Sequence, residues 1–277
     1  MKTLKITILC CLLSAFSFAN ISKTEKGALV ALYNATSGEN WRNAWNLDTP
    51  VTNWYGITVE NDKIVEIDLS FNNLDGQLPE GLNALSALRK LNLSFNKLEG
   101  TLPQDFFELS KLEDLKLFSN AFSGKIPQAI AKLTNLKVLE LYNNEFSGSI
   151  PDEIGELTNL EVILLSSNRL MGKIPKTVSN LKSLKVLSVF DNNLFGTLPS
   201  SIGELSQLEE LVLSNNAFYG DLPSDLAKLT NLKTLLLSNN SFKGDFAHIK
   251  EILPNIQEFD LDAKNLKGSL ATLDTED

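Results

Sequence analysis

Catalysis at neutral pH needs a nucleophile, a proton carrier or a metal ligand, and this chain offers few of each. Its one histidine is His248, and its two cysteines, Cys10 and Cys11, are adjacent near the start. A lone imidazole far from any thiol in sequence, with no second histidine, provides no constellation for nucleophilic or histidine-metal chemistry. Neighbouring carboxylates occur, as at Glu209 and Glu210, but at outward positions of a regular pattern such residues are solvated surface. No GxGxxG or Walker-type phosphate loop is present. The expectation is no enzyme, no catalytic residue, no cofactor and no metal, which leaves non-covalent recognition.

The residues best suited to recognition are Phe118, Tyr142 and Phe190. Each directly follows an apolar residue, Leu117, Leu141 or Val189, at a place where most equivalent segments have serine. Aliphatic Val138, Val162, Val186 and Leu164 fall nearby in the same segments, with Lys116 and Glu140 beside them. Aromatic anchors among polar groups are the usual composition of an interface. The competing reading is that these rings brace their neighbours across a sheet.

Such residues act together only if the backbone spaces them regularly, and it does. Asn72, Asn96, Asn120, Asn144, Asn168, Asn192, Asn216 and Asn240 recur every 24 residues. A glycine stands four residues after each, from Gly76 to Gly244, and again at Gly268. A proline ladder runs from Pro79 to Pro223, usually after Ile or Leu. A fixed period of this length marks a solenoid, in which each coil buries its apolar edge only against its neighbours. Nine repeats fit between Ile64 and Leu270.

Each unit reads as in Leu136, Leu139, Leu141, Asn144, Phe146, Gly148, Ile150, Pro151 and Ile154, a pattern that resembles the plant-type leucine-rich repeat. The resemblance implies an α/β repeat solenoid, a right-handed superhelix with a parallel concave β-sheet and an N-terminal helical cap. The asparagines are read as scaffold: an inward amide satisfies turn groups that would otherwise lie unpaired in a dry interior. Glycine marks positive φ or close approach, and proline fixes an extended segment. Alternate strand residues point to opposite faces, so the residues flanking each central strand leucine line the concave face. Before it stand Glu66, Lys90, Asp114, Val138, Val162, Val186, Glu210, Thr234 and Glu258, and after it Asp68, Asn92, Lys116, Glu140, Leu164, Ser188, Val212, Leu236 and Asp260. Apolar residues gather in the middle coils and charges toward the ends.

The termini differ from the repeat. Lys2 and Lys5 precede an uncharged apolar run from Ile6 to Phe18, which reads as a secretory signal over residues 1–19. Its removal leaves 23 basic against 34 acidic residues and no thiol. An acidic chain does not suit a nucleic-acid backbone, and no other apolar run approaches the roughly 20 residues of a membrane span. The expected location is secreted or extracytoplasmic, in a periplasm or at a cell surface, and the expected partner a protein or a carbohydrate. Residues 20–63 read as an N-terminal cap, with a helix over Thr24 to Tyr33 and with Trp41, Trp45 and Trp54 closing the first coil; a sugar platform is the alternative use of the three indoles. The run from ALYNATSGENW to NWYGITV resembles the cap of bacterial members of the family, whereas plant members usually carry a cysteine pair there. Residues 271–277 form an acidic tail. A regular-surface or ice-binding role needs a monotonous column, and Phe71, Phe95, Ser119, Asn143, Ser167, Asp191, Asn215, Asn239 and Ala263 do not make one. A purely structural surface role is the remaining alternative.

Overall fold

The computed structural model describes residues 20–244 and 249–261. The expected signal segment, His248, the expected acidic tail and most of the expected ninth repeat lie outside them. The chain opens on helix α1, Lys23–Ala35, in which Ala28, Leu29 and Leu32 form the buried stripe. Ser22 caps it: its hydroxyl accepts from the Glu25 amide and donates to the Glu25 carboxylate at 2.7 Å, which satisfies an orphan donor of the first turn. Strands β1 (Ile57–Glu60) and β2 (Lys63–Asp68) then form an antiparallel hairpin. Its turn places Asn61 and Asp62 at φ of 49° and 60°, the paired left-handed conformation that matches strand twist.

From β2 onward the chain repeats. Coil 1 contributes β2, and coils 2 to 9 contribute Lys90–Asn92, Asp114–Lys116, Val138–Glu140, Val162–Leu164, Val186–Ser188, Glu210–Val212, Thr234–Leu236 and Glu258–Asp260 to one ten-stranded sheet. Apart from the hairpin the pairing is parallel, with residue i opposite i+24, as in Leu115 opposite Leu139 and Ile163 opposite Leu187. A second sheet of eight short parallel strands, Asp75–Gln77 through Ser241–Lys243, follows the turn of coils 1 to 8. Between the sheets lies a continuous apolar core of strand leucines, with Phe122 against Phe146 and Phe218 against Phe242. The prolines precede short 3-10 turns, as Pro151 does for Asp152–Glu156. This is the leucine-rich-repeat solenoid with its helical cap.

The asparagine ladder holds each turn. Asn144 Nδ2 donates to the carbonyls of Leu117, Leu141 and Tyr142, and its Oδ1 accepts from the Phe122 amide. Asn168 repeats the arrangement one coil on, with the carbonyls of Leu141, Leu165 and Ser166 and the amide of Phe146. One side chain thus serves its own turn and the coil before it. The first rung has no such coil behind it. Asn72 Oδ1 accepts from Asn43 of the cap instead, and its Nδ2 is left unpaired.

In the cap, Trp41, Trp45 and Trp54 are buried and donate their indole N–H groups to the carbonyls of Thr36, Tyr55 and Asn46 respectively, with Trp45 stacked on Trp54 and on Tyr33 and Trp41 edge-on to Trp45 and Tyr33. Rings so placed close the core and have no open face for a sugar. Glu25, also buried, ties the helix to the first coil through Lys63 and the Ile64 amide. Burial raises its pKa, but the hydrogen bonds from Ser22, Lys63 and Ile64 and the charge of Lys63 outweigh that and hold it below the usual range.

Candidate functional site

The outward side chains of the ten-stranded sheet form three columns. In the first, Val138, Val162 and Val186 stand side by side in register and half-buried. In the second, Lys116 and Glu140 pair with each other at 3.3 Å, and Leu164 sits between Glu140 and Ser188. The third column holds Phe118, Tyr142 and Phe190, each half-buried. The structure splits this last set. Phe118 and Tyr142 stack at 4.3 Å between centroids, 11° from parallel. Phe190 lies two coils further on, beyond Ser166, and contacts no other ring among the described residues.

What joins Phe118 and Tyr142 instead are two residues of the neighbouring column. Phe71 and Phe95 stack at 4.0 Å, and Phe95 meets Phe118 edge-on at 5.0 Å. The result is a four-ring strip along coils 1 to 4, from Phe71 to Tyr142. Phe71 and Phe95 are exposed, by 53% and 42%, and both have φ of 54°. The same left-handed position is filled in coils 3 to 8 by Ser119, Asn143, Ser167, Asp191, Asn215 and Asn239. A left-handed conformation costs an L-residue roughly 1–2 kcal/mol, which short polar side chains offset by local hydrogen bonds and phenylalanine cannot. Two bulky rings are therefore held, exposed, where the backbone disfavours them, and strain of that kind points to use. The column was legible in the sequence, but only as an irregular row of small groups; the signal was its two aromatics.

Carboxylates flank the strip. Asp68 is engaged, accepting from Ser70 and from Asn92. Asp114 is not: its Oδ1 is buried with no hydrogen-bond donor. Burial raises the Asp114 pKa, the charges of Glu66 and Asp68 add to that, and Lys116 and Lys90 only partly oppose them. Burial likewise raises the Tyr142 phenol, with Glu140 contributing. The site can therefore offer apolar ring surface on the same face as the carboxylates of Glu66, Asp68 and Asp114. Among the described residues no group of three or more His, Cys, Asp or Glu is placed to hold a metal ion. No helix among them is long and apolar enough to cross a membrane.

At the entry to the strands of coils 2 to 8 runs a fourth feature. Arg89, Glu113, Lys137, Glu161, Lys185, Glu209 and Lys233 alternate in sign along the edge of the sheet. Arg89 pairs with Glu60, Lys137 with Glu113, Lys185 with Glu161 and Lys233 with Glu209.

Comparison with known proteins agrees with this geometry. A family model described as "Leucine rich repeat" matches residues 62–122, and a second matches 135–157, 159–181, 183–205 and 207–229. Among solved structures, the chain is similar to PEPR1 in complex with AtPEP1, at 32% identity and a TM-score of 0.75, over 81% of this chain and 32% of that one. It is similar to the ectodomain of the Arabidopsis receptor kinase HAESA in complex with an IDA peptide hormone ligand, at 35% identity and a TM-score of 0.66, over 70% and 32% of the two chains. A plant ice-binding protein matches at 25% identity and a TM-score of 0.58, over 91% of this chain and 99% of that one. The chain spans about a third of the length of the two receptor chains.

Proposed function

From the premise that this chain belongs to the leucine-rich-repeat family, we propose that it is an exported, non-enzymatic recognition module that grips an extended segment of a protein partner on the first four coils of its concave face. The observation that carries this reading is the strip of Phe71, Phe95, Phe118 and Tyr142, two of whose rings occupy a strained backbone position. Stacking covers one face of each of the four rings against its neighbour. A pyranose needs an open face, whereas an apolar side chain packs well against edges, so a peptide is favoured over a glycan.

The neighbouring carboxylates select for charge. Glu66, Asp68 and Asp114 outnumber Lys90 and Lys116 on the first three strands of this face, so a peptide that carries a Lys or Arg near its apolar anchor is favoured. The two receptors named above are bound to AtPEP1 and to an IDA peptide hormone, which supports the same class of ligand. Val138, Val162, Val186 and Leu164 continue the apolar floor, and Phe190 serves as a separate, weaker contact.

Selection from a random peptide library, read by titration calorimetry, tests this. The chain should enrich peptides that combine an apolar and a basic residue, and the F95A/F118A/Y142A variant should lose them while remaining folded. Retained peptide binding in a folded variant, or binding confined to a glycan array, overturns the proposal.

The length match to a plant ice-binding protein motivates a second reading, as a binder of a regular surface. Outward positions of the second sheet run Asp75, Glu99, Ser123, Ser147, Met171, Phe195, Tyr219 and Lys243, which lack the monotony such a surface requires. Measured thermal hysteresis would restore that reading.

A further inference from the structure

Where coils 3 to 5 pass from the second sheet into their 3-10 turns, a groove of about 690 Å³ runs across them. Three successive Ile-Pro pairs, Ile126-Pro127, Ile150-Pro151 and Ile174-Pro175, form its floor, with the isoleucines buried. Lys125, Ser149 and Lys173 precede the pairs, and Asp152 and Lys176 follow two of them, all exposed; Glu153 is half-buried beside Asp152. Three cations and two anions thus share one groove, in a chain whose formal net charge is -9. The position of Lys125 and Lys173 is Gln77 and Thr101 in the coils before and Thr197 and Asp221 in the coils after, so the lysines are confined to the groove.

These charges are unused within the chain. Lys137, Lys185 and Lys233 of the strand-entry rim each meet a glutamate. The side chains of Lys125, Lys173, Lys176, Asp152 and Glu153 line a common groove, yet none has a hydrogen-bond or ion-pair partner among the described residues. Two of the lysine stems are seated in gaps that glycine leaves. A Cβ on Gly148 would stand 2.9 Å from Lys125 Cγ, and one on Gly196 would stand 2.9 Å from Lys173 Cγ. Side chains held in this way have less freedom to lose when a ligand binds.

The groups ask for two things of an occupant. The ammonium groups need acceptors, and anionic acceptors bind them most strongly. The carboxylates only accept, so a neutral donor such as a hydroxyl must face them. Proline supplies no N–H, so the floor cannot pair with a peptide backbone as a strand edge does. A sugar chain bearing carboxylates meets all of this: its acid groups accept from the lysines, its hydroxyls donate to Asp152 and Glu153, and its C–H faces lie on the apolar floor. We propose that this groove binds a linear acidic polysaccharide of the uronate class. The groove lies off the ten-stranded sheet, and the proposal is independent of any peptide bound there.

Titration calorimetry with oligomers of galacturonic acid and of mannuronic acid tests it. At least one should bind, and the K125A/K173A variant should weaken it about tenfold or more, the scale of a lost charged hydrogen bond. Asp152→Ala and Glu153→Ala decide between a built site and general attraction. Carboxylates that merely repel an acidic ligand would, on removal, tighten binding; carboxylates that accept its hydroxyls should, on removal, weaken it about threefold or more. Methyl esters of the same oligomers should bind far more weakly, and polyglutamate, which has the charge without the hydroxyls, should gain affinity from Asp152→Ala. The F95A/F118A/Y142A variant should bind the oligomer as the unaltered chain does, which separates this site from the concave strip. Circular dichroism confirms that each variant is folded. Absence of binding by both oligomers up to about 1 mM, equal binding of the esters, or tighter oligomer binding after Asp152→Ala or Glu153→Ala overturns the proposal.

Discussion

Two adjacent residues in every turn have opposite histories. Asn144 is buried and makes four hydrogen bonds to backbone, while its predecessor Asn143 is exposed in a left-handed conformation. The inward position is asparagine in all eight of these turns, whereas the outward one reads Phe, Phe, Ser, Asn, Ser, Asp, Asn, Asn. The backbone is the same throughout, so the difference lies in what the surroundings demand. Inside, only an amide of that length meets three carbonyls and an amide hydrogen at once. Outside, the backbone asks for a short polar residue and tolerates a departure. Where the departure is aromatic, in coils 1 and 2, it is also where an exposed strip forms.

The largest effect should come from the inside. Asn144→Ala or Asn168→Ala leaves buried turn groups without partners and should cost about 3 kcal/mol of stability, read as a lowered melting temperature. Asn143→Ala should cost far less. Equal losses at the two neighbours would break the contrast.

Outside, stability and binding should part. Exchanging both Phe71 and Phe95 for asparagine relieves two strained residues but gives up a stack worth about 0.5–1.5 kcal/mol, so folding stability should change by less than about 1 kcal/mol. Affinity for a peptide enriched by the unaltered chain should fall by about 2 kcal/mol or more, the scale of an interface hot spot. A variant that melts early and binds well would show that the rings serve the scaffold.

Acid should separate the two carboxylates. The Glu25 pKa is lowered, so its contribution to stability is complete above the ordinary carboxylate value of 4.5 and drains away as pH falls from there through the folded value. The Asp114 pKa is raised, so its ionised form opposes folding, and acidification through that raised value relieves the penalty first. Asp114→Asn should therefore raise stability at neutral pH and flatten the upper part of the acid profile, and Glu25→Gln should lower stability and flatten the lower part. Urea midpoints against pH read both. Binding of a basic peptide should weaken as Asp114 takes up its proton.

The smallest effect belongs to the alternating edge. Its pairs are solvent-exposed, and such pairs contribute little, so Lys185→Glu should barely move the melting temperature even though it places three acids in a row with Glu161 and Glu209.

Most of the scaffold was legible in the sequence because a solenoid's geometry is written once and repeated. The asparagine interval fixed the register of Leu115 on Leu139, and the apolar spacing from Ala28 to Leu32 fixed the cap helix, which runs from Lys23 to Ala35 rather than from Thr24 to Tyr33. The candidate site was only partly legible. Phe118 and Tyr142 follow directly from strand alternation. That Phe71 and Phe95 reach them does not, because it depends on a left-handed turn carrying one column's rings onto the next. Phe190 looked equivalent by position, yet Ser166 leaves a gap that no periodicity reveals.

The alternating edge also limits how the molecule can be lengthened or shortened. Excising the coil that carries Glu161 would seat Lys137 against Lys185, whereas excising that coil and the next would seat Lys137 against Glu209 and leave the sequence of signs intact. Every structural ladder in the interior has a period of one coil, but this rim has a period of two. The segment that can be copied or lost without a mismatch is therefore the doublet, and splicing this scaffold by odd and even numbers of coils should give proteins of differing parity on that rim.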